Sequence, residues 1–198
     1  MSSRADFDIL QQWVRPSSRV LDLGCGDGGL LQSLAQQKNV QGYGIENDRA
    51  LIVASLNNGI NVIEQNLNDG LTDFTDNSFD TVLMTQALQV VSRPDQVLEE
   101  MLRVGKECIV TFPNFGNWRA RWHLAIRGRM PVTKQLDYEW YNTPNIHFCT
   151  VRDFEVLCRE RGIQVLNRVM VSERFPDQSL KQLCPNSFAE TAIYHLSK

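Results

Sequence analysis

Closely spaced glycines and acidic residues follow a short apolar run near the start of the chain, in the sequence Val20-Leu21-Asp22-Leu23-Gly24-Cys25-Gly26-Asp27-Gly28-Gly29. Glycine has no Cβ and readily adopts positive φ, so a ligand can lie directly against the main chain of such a turn. A strand, a glycine turn and a helix form the unit with which doubly wound α/β proteins bind nucleotides. Gly24, Gly26 and Gly29 also fit the G-x-G-x-x-G pattern, so spacing alone does not separate a dinucleotide from another adenosine ligand. The alternative is a tight turn with only a structural role.

The acidic residues around this turn distinguish between the possible ligands. Asp22 precedes the turn, Asp27 lies within it, and Glu46 and Asp48 follow the next apolar run. A pyrophosphate would meet like charge here, whereas a ligand that carries an ammonium and a sulfonium group would be attracted. These residues therefore favour S-adenosylmethionine, or its product S-adenosylhomocysteine, over NAD.

Polar residues at the ends of three further strands are candidates for the remaining contacts with this ligand. Glu46 follows the turn by about 20 residues, where a carboxylate can accept hydrogen bonds from both ribose hydroxyls. Asn66 can accept from an adenine amino group, although a loop asparagine is often only a turn former. Thr85 and Gln86 are candidates for contact with the ligand; the alternative is that they make only ordinary hydrogen bonds at a strand end. The predicted cofactor-binding residues are Asp22, Gly24, Cys25, Gly26, Gly28, Glu46, Asn47, Asn66, Leu67, Thr85 and Gln86.

Residues that could catalyse methyl transfer are few. Transfer to nitrogen or oxygen requires an aligned nucleophile, often with a base beside it. Proteins that methylate exocyclic amines carry Asn/Asp-Pro-Pro-Tyr/Phe after the fourth strand, where this chain has Thr85-Gln86-Ala87-Leu88. His147 and Gln86 are the candidates that remain, and a histidine among aromatic residues more often has a structural role. The catalytic residues therefore stay unknown at this stage.

Apolar periodicity places these residues on alternating strands and helices. This alternation implies a doubly wound α/β fold with a parallel sheet and right-handed crossovers, and we expect one domain over residues 1–198. The predicted helices are 5–14, 28–37, 48–57, 94–103 and 151–161, the predicted strands are 19–23, 40–46, 61–63, 79–84, 107–112, 163–171 and 189–196, and the predicted polar loops are 64–78 and 175–188.

The segment 112–148 interrupts this alternation and is rich in aromatic and basic residues. Trp118 and Trp122 are four residues apart and therefore share a helical face, which arginines such as Arg121 and Arg129 surround. Such a helix can bind an anion, a nucleic acid or a protein, and Trp and Arg are enriched where proteins bind each other. The alternative is a solvated arginine face over tryptophans that cap the core.

Composition narrows the possible partners and surroundings. The chain has 198 residues and a formal net charge of -3, which argues against nucleic acid as a partner. Its five cysteines lack C-x-x-C spacing and its N-terminus lacks a secretory signal, so we expect reduced thiols and a cytoplasmic location. We expect no membrane span, since no apolar run approaches about 20 residues, and no metal site, since His123, His147 and His195 are far apart.

Several of these motifs resemble known families. The set Asp22-x-Gly24-x-Gly26-x-Gly28, Glu46, Asn66-Leu67 and strand 79–84 resembles the class I S-adenosylmethionine-dependent methyltransferases. Longer stretches resemble the MetW family of methionine-biosynthesis proteins, namely Leu88-Gln89, the helix 94–105, Phe112-Pro113-Asn114-Phe115-Gly116-Asn117-Trp118, the run 127–133 and the run 140–147. This resemblance implies a Rossmann-like methyltransferase fold, with a mostly parallel central sheet and a C-terminal antiparallel strand.

The resemblance also implies a function, and it leaves two classes open. In the first, the chain binds S-adenosylmethionine or S-adenosylhomocysteine and supports homoserine O-acylation as the partner of MetX, a homoserine O-acyltransferase. In the second, it is a methyltransferase that acts on a small molecule or a protein. A catalytic base would favour the second class. The absence of an amine-methylating motif and the elaborated segment 112–148 favour the first.

Overall fold

The computed structural model describes residues 5–133, 138–172 and 183–198. The helices in these ranges are α1 (Ala5–Trp13), α2 (Gly29–Lys38), α3 (Arg49–Asn57), α4 (Pro94–Val104), α5 (Trp118–Arg127), α6 (Val151–Glu160) and α7 (Pro185–Phe188). The strands are β1 (Arg19–Leu23), β2 (Gln41–Glu46), β3 (Asn61–Glu64), β4 (Phe79–Thr85), β5 (Gly105–Pro113), β6 (Gln164–Val171) and β7 (Thr191–Ser197). Short 3₁₀ turns cover Leu67–Asp69 and Leu88–Val90.

The strands form one seven-stranded sheet in the order β3-β2-β1-β4-β5-β7-β6. Neighbours from β3 to β5 are parallel, whereas β7 is antiparallel to both β5 and β6. The mostly parallel α/β sheet with a C-terminal antiparallel strand, expected from the sequence, is confirmed. The chain proceeds from β1 outward to β3 and then returns to β4 on the other side of β1. At such a switch point the carboxyl ends of the strands border a crevice that can hold a ligand.

The central strands are buried on both faces, which explains their nearly continuous apolar sequences. Val82 and Met84 of β4 belong to the cluster on one face, together with Leu98 of α4. Leu83, between them in sequence, belongs to the cluster on the other face with Leu31 of α2. Because successive side chains of a strand point to opposite faces, these two layers hold the carboxyl ends of the strands in fixed positions.

Most predicted elements are present, with differences at their ends. β5 runs from Gly105 to Pro113 rather than over 107–112, because Phe79 of β4 pairs with Gly105 and Thr191 of β7 pairs with Pro113. In the polar loop 64–78 the chain makes one 3₁₀ turn, Leu67–Asp69, and no α-helix.

The expected loop 175–188 needs a correction. Its residues 175–182 lie outside the described residues, and the described part contains the short helix α7. Pro185 occupies the first turn of that helix, a position where its missing N–H costs nothing. A proline that we interpreted as a loop residue therefore begins a helix.

Candidate cofactor site at the carboxyl edge of the sheet

The glycine turn after β1 has a backbone that requires its glycines. Gly24, Gly26 and Gly28 have φ values of 76°, 60° and 76°. A Cβ on Gly28 would lie 2.5 Å from Ser55 Oγ, whereas a Cβ on Gly26 would meet no atom within 4 Å. The turn is thus closely packed beneath Gly28 and open beside Gly26, which leaves room for a ligand against the main chain.

Two contacts hold this turn onto the end of β2. The N–H groups of Gly24 and Cys25 donate to the carbonyl oxygen of Ile45 at 2.9 and 3.1 Å. Gly44 makes the close approach possible, because a Cβ there would lie only 2.3 Å from Cys25 Sγ. A glycine inside a strand is the sequence signal for such a contact, and the site predicted from the sequence did not include Gly44.

Glu46 joins the turn to the residues after β2. Its Oε2 accepts from the Gly26 N–H at 3.0 Å, and its Oε1 accepts from the N–H groups of Asn47 and Asp48 at 2.8 and 3.0 Å. A carboxylate has about four acceptor positions, so these bonds leave about one for a hydroxyl donor. The structure therefore places Glu46 at the open side of the turn. Its carboxylate keeps about one free acceptor position, whereas contacts with both ribose hydroxyls need two.

The electrostatic field at the turn is negative. Burial is the main factor that raises the pKa of the Cys25 thiol, to about 11, and the charges of Asp22 and Glu46 raise it further. The side chain of Asp22 is almost completely buried, at 1 % exposure. A thiol with this pKa is neutral and unreactive at physiological pH. A cationic ligand would be stabilised at the same place.

The loop after β3 uses Asn66 as a turn former. The Asn66 side-chain oxygen accepts from the N–H and the side-chain amide of Asn68, at 3.0 and 3.1 Å. Asn68 in turn accepts at Oδ1 from the Ser92 N–H at 2.7 Å, which ties this loop to the segment after β4. Asn66 and Leu67 lie at the predicted edge, and a contact between Asn66 and adenine stays a prediction.

At the end of β4 the backbone adopts a left-handed conformation without glycine. Gln86 has φ 56°, and its N–H donates to the carbonyl and hydroxyl oxygens of Thr111, both at 3.0 Å. Such a conformation costs a non-glycine residue about 1–3 kcal/mol and is often found at binding sites. Gln89, buried at 8 % exposure, donates from Nε2 to the Gln86 carbonyl at 2.8 Å. Its Oε1 is buried without a hydrogen-bond partner among the described residues.

His147 is fixed beside this edge by structural hydrogen bonds. The N–H groups of Ile146 and His147 donate to the Gln89 carbonyl at 2.8 and 3.1 Å. The His147 ring nitrogen Nε2 lies 3.3 Å from the Ser92 carbonyl oxygen, to which it can only donate. The segment 138–148 is therefore attached at the carboxyl edge, and His147 has the structural contacts that the sequence left open as its alternative role.

A family model supplies the decisive comparison. The model of "Methionine biosynthesis protein MetW" matches residues 4–196. The chain belongs to the MetW family. A curated relative from Rhodopirellula baltica, named "Bifunctional methionine biosynthesis protein MetXA/MetW", is 35% identical over 202 residues, which include 95% of this chain. The chain spans about a third, 32%, of that relative's length. The chain is thereby a member of a family of methionine-biosynthesis proteins.

Solved structures with the same fold are more distant in sequence. An S-adenosylmethionine-dependent methyltransferase from Mesorhizobium loti superposes with a TM-score of 0.72 at 14% identity, over 99% of each chain. The [4+2]-cyclase SpnF superposes with a TM-score of 0.69 at 18% identity, over 97% of this chain and 80% of its own. These likenesses establish a Rossmann-like methyltransferase fold, and the second shows that proteins with different activities share it.

The described residues contain neither a membrane-spanning helix nor a metal cluster. No helix among them is long and apolar enough to cross a membrane. Within the same part of the chain, no three His, Cys, Asp or Glu side chains come together as a metal site would require.

Proposed function

We propose that the chain binds S-adenosylmethionine or S-adenosylhomocysteine at the carboxyl edge of β1–β4, and that it supports homoserine O-acylation in the cytoplasm as the partner of a homoserine O-acyltransferase. One observation carries the ligand assignment: the open glycine turn is hydrogen-bonded at Gly26 to the carboxylate of Glu46, 3.0 Å away. The main chain against which a ligand can lie is thus adjacent to a carboxylate that can accept a hydrogen bond from a ribose.

The residues present fit the parts of this ligand. The open side of Gly26 leaves room against the turn, and the remaining acceptor capacity of Glu46 suits one ribose hydroxyl. The acidic field that Asp22 and Glu46 create suits the ammonium and sulfonium groups. Asn66, Leu67, Thr85 and Gln86 lie on the same edge, where adenine and the amino-acid part would be held. When bound, S-adenosylmethionine supplies an electrophilic methyl group.

The partnership is supported by the fused relative. In the Rhodopirellula baltica protein, a region similar to this chain occupies about a third of a polypeptide whose name joins MetXA with MetW. Covalent linkage raises the effective concentration of two modules for each other, often to the millimolar range. Two proteins that act together gain from such a fusion, which supports an interaction between the separate chains here.

Calorimetric titration tests the ligand assignment. We expect S-adenosylmethionine or S-adenosylhomocysteine to bind and NAD not to bind. Glu46→Ala should weaken binding about tenfold or more, because a charged hydrogen bond is lost. Glu64→Ala at the end of the neighbouring strand β3 is the matched control and should bind as the wild type does. Equal affinity for NAD, or an unchanged affinity in folded Glu46→Ala, would contradict the assignment.

A reconstituted assay tests the partnership. Purified homoserine O-acyltransferase from the same organism is assayed for acylation of homoserine with and without this chain. We expect the two proteins to co-purify and the acylation rate to rise with added chain until the complex is saturated. An acyltransferase that is fully active alone and does not co-purify would contradict the proposal.

A methyltransferase is the second candidate, and the buried Oε1 of Gln89 is the observation that favours it. This oxygen has no hydrogen-bond partner among the described residues; because it is buried, it could accept a hydrogen bond from a methyl acceptor only after the side chains around it move. Against this candidate, Nε2 of His147 faces a backbone carbonyl. We expect no efficient transfer of labelled methyl groups to DNA, RNA or amines. Turnover that disappears in His147→Ala or Gln86→Ala would establish this second function instead.

A further inference from the structure

Helix α5 leaves all four of its large apolar side chains substantially exposed. It has ten residues, and Ala120 alone among them is buried. Trp118, Trp122 and Ile126 are 40 %, 63 % and 65 % exposed, although they are among the most apolar residues of the segment. Large apolar side chains that are exposed together on one element indicate a surface that another molecule covers.

The base of this helix, in contrast, is firmly held. The side-chain amides of Asn114 and Asn117, both buried, donate to the Ala189 carbonyl at 2.9 and 3.0 Å. The Asn117 side-chain oxygen also accepts from the Arg119 N–H at 3.0 Å and thereby caps the first turn. A ten-residue helix is only marginally stable in water without packing. The part of α5 beyond its capped first turn therefore depends for its stability on contacts with another molecule.

Three of the exposed apolar residues of α5 form one continuous stripe, which we call the α5 stripe and define as Trp118, Trp122 and Ile126; Leu124, 41 % exposed, lies outside it. Residues four apart lie above one another on a helix, so the three side chains share one face. Arg119, His123 and Arg127 line the same groove beside them. The Arg119 guanidinium lies 5.7 Å from the centre of the Trp118 ring.

The charge around the α5 stripe is positive and unbalanced. The sequence has no Asp or Glu between Glu107 and Asp137, whereas this interval contains Arg119, Arg121, Arg127 and Arg129. Within the ranges that the structure describes, no carboxylate forms a salt bridge with any of these four arginines. The complementary surface is therefore apolar at its centre and carries carboxylates at its rim.

We infer that the α5 stripe and its arginines are the docking surface for the homoserine O-acyltransferase of the proposed function, on which this inference rests. A second copy of this chain would oppose arginine to arginine in a two-fold contact, which like charge disfavours. A nucleic acid would be repelled by the rest of the chain, whose net charge is -3. A protein surface that carries carboxylates would face neither of these two repulsions. Trp and Arg are also the residues that carry most binding energy at protein interfaces.

Affinity measurements on exposed residues test this inference. Trp122→Ala should weaken binding to the purified acyltransferase about thirtyfold or more, mainly through faster dissociation. Arg127→Gln should slow association and reduce its dependence on salt. Leu56→Ala on α3, where the side chain is 56 % exposed, is the apolar control, and Arg159→Gln on α6 is the charge control. Both controls should bind like the wild type.

The outcomes separate this inference from the function on which it rests. If the wild type neither binds nor activates the acyltransferase, the proposed function is wrong. If the wild type binds and folded Trp122→Ala and Arg127→Gln keep its affinity, the docking surface lies elsewhere and only this inference is wrong. Sedimentation velocity of the chain alone and titration with duplex DNA complete the test. Dimers that Trp122→Ala abolishes, or DNA binding that Arg127→Gln abolishes, would also overturn it.

Discussion

Helices α4 and α5 have nearly the same length and differ completely in how their side chains are used. α4 has eleven residues, of which Val97, Leu98, Met101, Leu102 and Val104 are buried. α5 has ten residues, of which Ala120 alone is buried. α4 connects β4 to β5 and contributes five side chains to the core cluster on one face of the sheet, whereas α5 follows β5 and contributes none to either core cluster. α4 serves the fold of this chain, whereas α5 presents its apolar surface outward.

Their arginines differ in the same way. Arg103 at the end of α4 donates to the carbonyl oxygens of Phe74 and Leu71 at 2.8 and 2.9 Å. It also forms salt bridges with Asp76 and Glu100 at 2.7 and 2.8 Å. Among the described residues the arginines of α5 form no salt bridge. Charge therefore stabilises the fold at Arg103, whereas among the described residues the arginines of α5 have no carboxylate partner.

The largest expected effect is on core stability. Leu98→Ala in α4 should lower the free energy of unfolding by about 2–5 kcal/mol, because a fully buried side chain is lost and a cavity remains. Trp122→Ala in α5 should change it by less than about 0.5 kcal/mol, since the side chain is mostly exposed. Urea denaturation measures both. A large loss in Trp122→Ala would mean that α5 also belongs to the fold.

The second effect concerns the arginines. Arg103→Ala should cost about 2 kcal/mol of unfolding free energy, because the carbonyls of Leu71 and Phe74 lose a charged donor. Arg103→Lys should restore little, because an ammonium group cannot reproduce the planar arrangement of donors. Arg127→Ala should have no measurable effect on stability. Urea denaturation at low salt measures these changes, and equal losses in Arg103→Ala and Arg127→Ala would remove the contrast.

The smallest effect concerns pH. Hydrogen bonds from Arg93 are the main factor that lowers the pKa of Asp95, in the first turn of α4, to about 2. The unfolded value is about 3.9, so this contribution to stability is present above about pH 4 and is lost as the pH falls towards 2. Asp95→Asn should therefore cost up to about 1 kcal/mol at pH 7, and this cost should disappear below about pH 2. A cost that does not depend on pH would show that the carboxylate charge is not its source.

The fold and the geometry of the glycine turn could be predicted because their signals are local. The glycines at 24, 26 and 28 mark a backbone that requires positive φ, and buried strands appear as apolar runs. The position of Glu46 follows from its spacing, about 20 residues after the glycine turn and at the end of the next strand. These features depend on neighbouring residues, which a sequence displays directly.

Other features depend on contacts that the sequence does not display. The left-handed Gln86 is held by Thr111, 25 residues later in the chain. Backbone N–H groups occupy part of the hydrogen-bond acceptor capacity of Glu46, and no pattern of side chains in the sequence reveals this. The spacing of Trp118 and Trp122 predicted a shared face, but only the position of the core determines whether that face points inward. The hydrogen bonds of His147 likewise go to residues far away in the sequence, so its aromatic neighbours could not indicate its role.

Hydrogen–deuterium exchange of the free and bound chain tests the contrast between α4 and α5 most directly. In the free chain we predict strong protection of the α4 amides and rapid exchange in α5 beyond its first turn, because α5 buries a single side chain. Addition of the homoserine O-acyltransferase should protect α5 strongly and leave α4 unchanged. A helix α5 that is as protected as α4 in the free chain, or whose exchange does not change in the complex, would contradict the account.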